Sequence, residues 1–187
     1  MSFYLGIDFG TTGVRTSIID KNKKVLINFS VSIDDPISKG SLVYQNPSLW
    51  WSALIKNLTY LKTKIELNKI ERLSIDGTSG TILITDHSGN PLDNALMYND
   101  ASAVKESKLV ESISDNHPIV STSTNALVRA LSLINKLKKE KYRILHQADW
   151  IACKIIDDYM YSDENNALKL GYAVSYTHLT LPTMELV

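Results

Sequence analysis

Ten consecutive residues carry the most chemistry in this chain: Gly6-Ile7-Asp8-Phe9-Gly10-Thr11-Thr12-Gly13-Val14-Arg15. An apolar run enters a tight turn of glycine and threonine, and a second run leaves it. Gly10 and Gly13 let the backbone approach a ligand and take positive φ. Successive backbone N–H groups in such a turn form a concavity that suits an anion such as phosphate. Thr11 and Thr12 add hydroxyl donors. Asp8, at the end of the first run, can hold a divalent cation through water beside the phosphates. The segment is not a P-loop, because it has no Gly-Lys-Ser/Thr ending and a strand follows it. It also lacks G-x-G-x-x-G. A Gly-Thr hairpin turn with no ligand is the plainer alternative.

Other reactive residue types read blandly. His87, His117, His146 and His178 are scattered without metal-ligand spacing. The lone Cys153 lies in the apolar stretch Trp150–Ile156 and reads as a small buried residue. Lys136-Leu137-Lys138-Lys139-Glu140-Lys141 reads as a solvated helix end. Trp50 and Trp51 fit helix packing better than stacking on a ligand.

The elements that would position these residues follow from periodicity. Strands are expected at 3–9, 14–20 and 24–32, joined by turns as a meander. Residues 34–40 read as loop. Asn46 caps and Pro47 opens a helix whose apolar residues recur at helical spacing to about 67. A fourth strand is expected at 70–76 and a fifth at 81–86, with a turn at 88–91. Helices are expected at 101–115, at 124–139 with Leu127, Ala130, Leu131, Ile134 and Leu137 on one face, and at 148–158, where Asp149 marks the start. Three strands, a helix and a further strand imply an α/β layer fold with a mixed sheet, unlike the βαβ start of a Rossmann domain.

Composition narrows the classes. The chain has 187 residues, 44% hydrophobic and 21% charged, enough for a real core. Twenty basic residues balance twenty acidic ones. That argues against a general nucleic-acid binder, which needs a cationic surplus. No apolar run is long enough to span a membrane, and the N-terminus has no secretion-signal pattern, so a cytoplasmic protein is expected. Residues 174–187 carry one formal charge, Glu185, and read as a non-native tail; a divergent C-terminus is the alternative.

Asp8-Phe9-Gly10-Thr11-Thr12 between two strands resembles the first phosphate motif of the sugar-kinase, actin and heat-shock-protein superfamily. That resemblance implies a ribonuclease-H-like (actin-like ATPase) domain, βββαβαβα, usually present twice with nucleotide between the copies. Further segments resemble the FGGY carbohydrate kinases. They are Tyr44-Gln45-Asn46-Pro47 with Trp50-Trp51, Ser74–Thr81, Leu83–Asp86, Gly89–Leu92 and Ala95–Asp100. Leu145–Ile151 and Asp163–Tyr172 look like the ribulokinase/xylulokinase subgroup. Residues 1–173 are then expected to be a partial N-terminal kinase domain.

The resemblance implies transfer of the γ-phosphoryl of ATP to a sugar hydroxyl with Mg2+, a reaction carried by positioning and charge neutralisation. Asp8 and Thr11 would be catalytic, Asp8 holding hydrated magnesium. Gly10, Thr11, Thr12 and Gly13 would bind the phosphates. Asp76, Thr78, Ser79, Asn99 and Asp100 would bind the sugar, Ser79 foremost. Many relatives carry Arg where this chain has Ser102, so that contact does not carry over. Asn165 and Asn166 read equally as loop formers. The expected base, an Asp in a Gly-Thr-rich turn, would lie beyond residue 173, and nothing like it occurs; the second domain is also missing. The expected acceptor is a ketopentose, D-ribulose ahead of D-xylulose. No nucleic-acid or membrane partner is expected, and the oligomeric state is left open. A non-catalytic sugar or nucleotide sensor, or an actin-like structural protein, is the alternative.

Overall fold

A computed structural model describes residues 2–114, 121–137 and 141–171. The proposed tail lies outside the described residues, as do His117 and His178. In chain order the strands are β1 (Phe3–Phe9), β2 (Gly13–Asp20), β3 (Val25–Ser32), β4 (Ile37–Lys39), β5 (Leu42–Gln45), β6 (Ile70–Gly77), β7 (Ile82–Thr85), β8 (Ala95–Leu96) and β9 (Arg143–His146). The helices are α1 (Pro47–Lys62), α2 (Val104–Ile113), α3 (Ala126–Leu137), α4 (Gln147–Ile156) and α5 (Glu164–Lys169). The chain divides into two compact units. Unit 1 takes the residues up to Pro36 and Asn46–Thr78; unit 2 takes Ile37–Gln45 and the residues from Ser79 on.

Unit 1 is a four-stranded sheet in the order β3-β2-β1-β6. The β1–β2 and β2–β3 pairs are antiparallel and β1–β6 is parallel, so the sheet is mixed. Alternation decides its faces. Phe3, Leu5, Ile7 and Phe9 of β1 point inward with Val14 and Ile18 of β2. α1 covers that face with Trp50, Ala53, Leu54 and Leu61, spaced at helical intervals. Asn46 Oδ1 caps α1 by accepting from Ser48 N–H at 2.9 Å, and Pro47 takes its first position. Helix and sheet are also joined by polar contacts. Thr16 Oγ1 donates to Asn57 Oδ1 at 3.1 Å, and Asn57 Nδ2 donates to Val14 O at 3.2 Å. Phe29 of β3 stacks on Tyr60 of α1 with centroids 3.8 Å apart.

Unit 2 holds a five-stranded sheet, β4-β5-β8-β7-β9, antiparallel throughout. Its core joins Ile82, Ile84 and Leu96 of the sheet to Ala126, Ala130 and Leu133 of α3. Trp150 of α4 donates its indole N–H to Gly89 O at 2.9 Å, fixing the turn after β7.

Several expectations are corrected. Residues 34–40 are not all loop, since β4 forms there and pairs with β5. The fifth strand joins the second sheet rather than extending the first. α1 ends at Lys62, five residues early, and a 3-10 turn at Leu67–Lys69 precedes β6. α4 begins at Gln147, with Asp149 inside its first turn. The buried face of α3 is Ala126, Val128, Arg129, Ala130 and Leu133, rotated from the expected stripe.

Candidate functional site

Strand register sets the candidate site of unit 1. Asp8 on β1 lies opposite Arg15 on β2 and beside Asp76 on β6. With Gly6, Ile7, Ser17 and Ser74, these residues line a depression of about 390 Å3 on the sheet. Asp8 Oδ2 meets Arg15 Nη2 at 2.9 Å, and both side chains are substantially exposed. The Gly10–Gly13 hairpin is closed by Gly10 N–H donating to Gly13 O at 2.9 Å, and Ile33 N–H donates to Thr12 O at 3.0 Å. Thr78 Oγ1 donates to Phe9 O at 3.2 Å, tying the end of β6 to the end of β1. Asp76 Oδ1 accepts from Gly77 N–H at 2.8 Å. Thr12 is exposed and Thr11 half-buried.

The expected positive φ at Gly10 and Gly13 is not found; the positive-φ glycines are Gly40, Gly80, Gly89 and Gly171. Gly13 is required for another reason. A Cβ there would sit 3.1 Å from Val31 O, so a side chain would press on β3.

Unit 2 holds the remaining sugar-binding candidates. Ser79 and Asn99 are exposed, as is Tyr98 beside Asn99. Asp100 differs, being fully buried. Its Oδ2 accepts from Val43 N–H at 2.7 Å, and its Oδ1 accepts from Ser102 Oγ at 2.9 Å and Ser102 N–H at 3.2 Å. Its carboxylate therefore shapes the loop from within. The structure thus groups Asp8, the Gly10–Gly13 turn, Asp76 and Thr78 in unit 1, and Ser79, Asn99 and Asp100 in unit 2.

One polar residue of unit 2 escaped the sequence reading. Arg129 of α3 is buried and donates to four main-chain carbonyls, those of Gly80, Leu96, Met97 and Thr124. Burial lowers its pKa to about 10, against the raising influence of Asp100. The available signal was a lone cation within the apolar run Ala126–Leu131. His146, also buried, is held down at about 4 by burial and then by Lys169, so it is neutral at pH 7. Asp149 is pushed up by burial; it accepts from Ser162 Oγ at 2.7 Å and Asn166 Nδ2 at 2.9 Å. Asn166 is thus a buried partner of Asp149, while Asn165 lies in the first turn of α5, exposed. Among the described residues, no three His, Cys, Asp or Glu side chains form a group able to hold a metal ion.

Comparison with known proteins places this architecture. Residues 3–166 match the N-terminal domain of the FGGY family of carbohydrate kinases. The chain belongs to this family. It is 25% identical over 179 residues to the xylulose kinase of Staphylococcus xylosus, covering 89% of this chain and 36% of that one. It is 27% identical over 150 residues to the glycerol kinase of Aquifex aeolicus, covering 75% of this chain and 30% of that one. The chain thus spans about a third of the length of these relatives. Among solved structures, the xylulose kinase of Rhodospirillum rubrum superposes with a TM-score of 0.80 at 16% identity, over 91% of this chain and 38% of that one. The Plasmodium falciparum glycerol kinase with ADP gives 0.69 at 17% identity, over 84% and 35%. At those identities the likeness shows the fold, which is the actin-like ATPase fold of the sugar kinases.

Proposed function

We propose that this chain supplies the phosphate-loop and sugar-recognition elements of an ATP-dependent kinase whose acceptor is a ketopentose. The family match over residues 3–166 is the observation that carries this reading. In the FGGY family the reaction moves the γ-phosphoryl of ATP to a sugar hydroxyl, and protein groups act by positioning and by offsetting charge. Thr11, Thr12 and the backbone of Gly10–Gly13 meet the phosphates. Asp8 suits magnesium because that ion keeps most of its water and needs only one or two carboxylates. Its exposed carboxylate, which joins no group of three His, Cys, Asp or Glu able to hold a metal ion among the described residues, fits such binding through water. When bound, magnesium supplies charge neutralisation at the phosphates.

Sugar recognition requires convergent donors and acceptors. Ser79 and Asn99 serve as the exposed groups of unit 2; within unit 1 Asp76 is exposed and Thr78 half-buried. Asp100 belongs to the same set but acts by holding Val43 and Ser102, because its own oxygens are occupied. We assign the proton of the attacking hydroxyl to a carboxylate outside residues 1–173.

D-Ribulose is the acceptor expected from the sequence, whereas the Staphylococcus xylosus relative is named for xylulose. The two sugars differ only in configuration at one carbon, and discrimination rests on one or two hydrogen bonds. Titration of the chain with each sugar, followed by NMR at Ser79 and Asn99, tests the reading. Saturable shifts at both residues are expected, stronger with D-ribulose. No response to either sugar would sink the kinase assignment of these residues. A turnover rate of about 1 per second or more with ATP, Mg2+ and D-ribulose would overturn the need for an outside base.

A further inference from the structure

Arg129 makes an unusual set of contacts. Nη2 donates to Gly80 O at 2.7 Å. Nη1 donates to Met97 O at 2.6 Å and Leu96 O at 3.2 Å, and Nε donates to Thr124 O at 3.1 Å. Every acceptor is main chain, so the guanidinium grips the path of the backbone rather than any side chain. Three segments distant in sequence meet on one planar group: the turn after Ser79, the end of β8, and the loop before α3. A guanidinium can do this because its donors are fixed in one rigid fork, which an ammonium lacks.

The arrangement is costly for a purely structural tie. Arg129 is 1% exposed, so its charge is taken out of water and is offset here by hydrogen bonds to carbonyls. What an apolar residue cannot do is hold two loops at a set separation. The residues flanking the gripped carbonyls are exposed: Ser79 precedes Gly80, and Tyr98 and Asn99 follow Met97. Gly80 takes φ +80°, and a Cβ there would lie 3.5 Å from Nη2, so the turn closes directly over the guanidinium.

We propose that Arg129 is a positioning residue for sugar binding, setting the spacing of Ser79 and Asn99 through the carbonyls of Gly80, Leu96 and Met97. It does not touch the sugar. This inference rests on the reading of Ser79 and Asn99 as sugar contacts.

Arg129→Lys in the full 187-residue chain is the test, with D-ribulose and D-xylulose as the probes. The variant keeps the charge but loses the fork. Amide exchange at 79–81 and 97–100 is expected to speed up by about tenfold or more, with β1 and β2 of unit 1 unchanged. Affinity for the sugar that the parent binds should fall by a similar factor. Unchanged affinity in a folded variant would overturn the positioning role while leaving the sugar reading intact. A parent chain that binds neither sugar would overturn both. Should Arg129→Lys fail to fold, the parent still decides. Saturating sugar should slow exchange of the Arg129 Nε–H, because coupling between the two is reciprocal. An exchange rate indifferent to sugar would defeat the proposal.

Discussion

Unit 1 displays Asp8, Arg15 and Asp76 on open strands, whereas unit 2 hides Asp100, Arg129, His146 and Asp149 in its interior. In unit 1 a continuous ladder of main-chain pairs fixes where each functional side chain stands, and the side chains of Asp8, Arg15 and Asp76 are exposed on it. Unit 2 has short strands, down to two residues in β8, which define loop positions poorly. Asp100 and Arg129 take over that task by binding main-chain groups. Function and stability are therefore separable in unit 1 and entangled in unit 2.

Substitutions can break this contrast, beginning with the largest effect. Asp100→Ala leaves Val43 N–H without its acceptor and removes the carboxylate nearest the Arg129 charge. A loss of about 3–5 kcal/mol is expected, seen as a fall in Tm on the order of 10 °C. A shift of only a degree or two would show that the buried polar groups are not what holds unit 2.

Next comes acid. The unfolded imidazole of His146 takes up a proton near pH 6.5, but the folded one only near 4. Its contribution is complete above pH 6.5 and is lost as pH falls toward 4, by about 3 kcal/mol. The raised Asp149 acts in the opposite sense, since its folded form holds the proton more readily. Urea unfolding measured from pH 7 to 4 should therefore show a slope that His146→Met flattens. A parallel slope in the variant would remove His146 as the cause.

Asn57 is a buried polar tie of unit 1, and Asn57→Ala should cost about 2 kcal/mol by removing its bonds to Thr16 Oγ1 and Val14 O. Chemical denaturation gives the value directly; a cost matching Asp100→Ala would erase the difference between the units.

Smallest in stability is Asp8→Asn, expected within about 0.5 kcal/mol because the Arg15 pair is exposed. Its effect belongs to ligand binding instead. Calorimetric affinity for magnesium with ADP should drop roughly tenfold. An intact affinity would remove Asp8 from the magnesium role.

The same contrast explains what the sequence revealed. The β1–β3 meander, α1 with Asn46 and Pro47, and β6 were legible because long alternating or helical runs carry their own signal. Strands β4, β5 and β9, of three or four residues each, were not, since their existence depends on partners distant in the chain. The Asp8 loop was singled out by residue type and spacing. Asp100 was singled out too, but an aspartate at a strand end reads the same whether it faces a ligand or a buried amide. Arg129 was passed over because helical periodicity scores an arginine as a solvent-facing position, even inside the apolar run Ala126–Leu131.

The detour of β4 and β5 between β3 and α1 has a practical meaning for anyone dissecting the molecule. The chain passes from one unit to the other at 36/37, 45/46 and 78/79, so no single cut separates them. An expression clone ending at residue 78 would carry the β4–β5 hairpin without β8, leaving a sheet edge open to aggregation. Replacing residues 37–45 with a short glycine-serine bridge is the cleaner genetic route to unit 1, because closing so small a loop costs little entropy. The boundary of this domain is a matter of splicing, not of truncation.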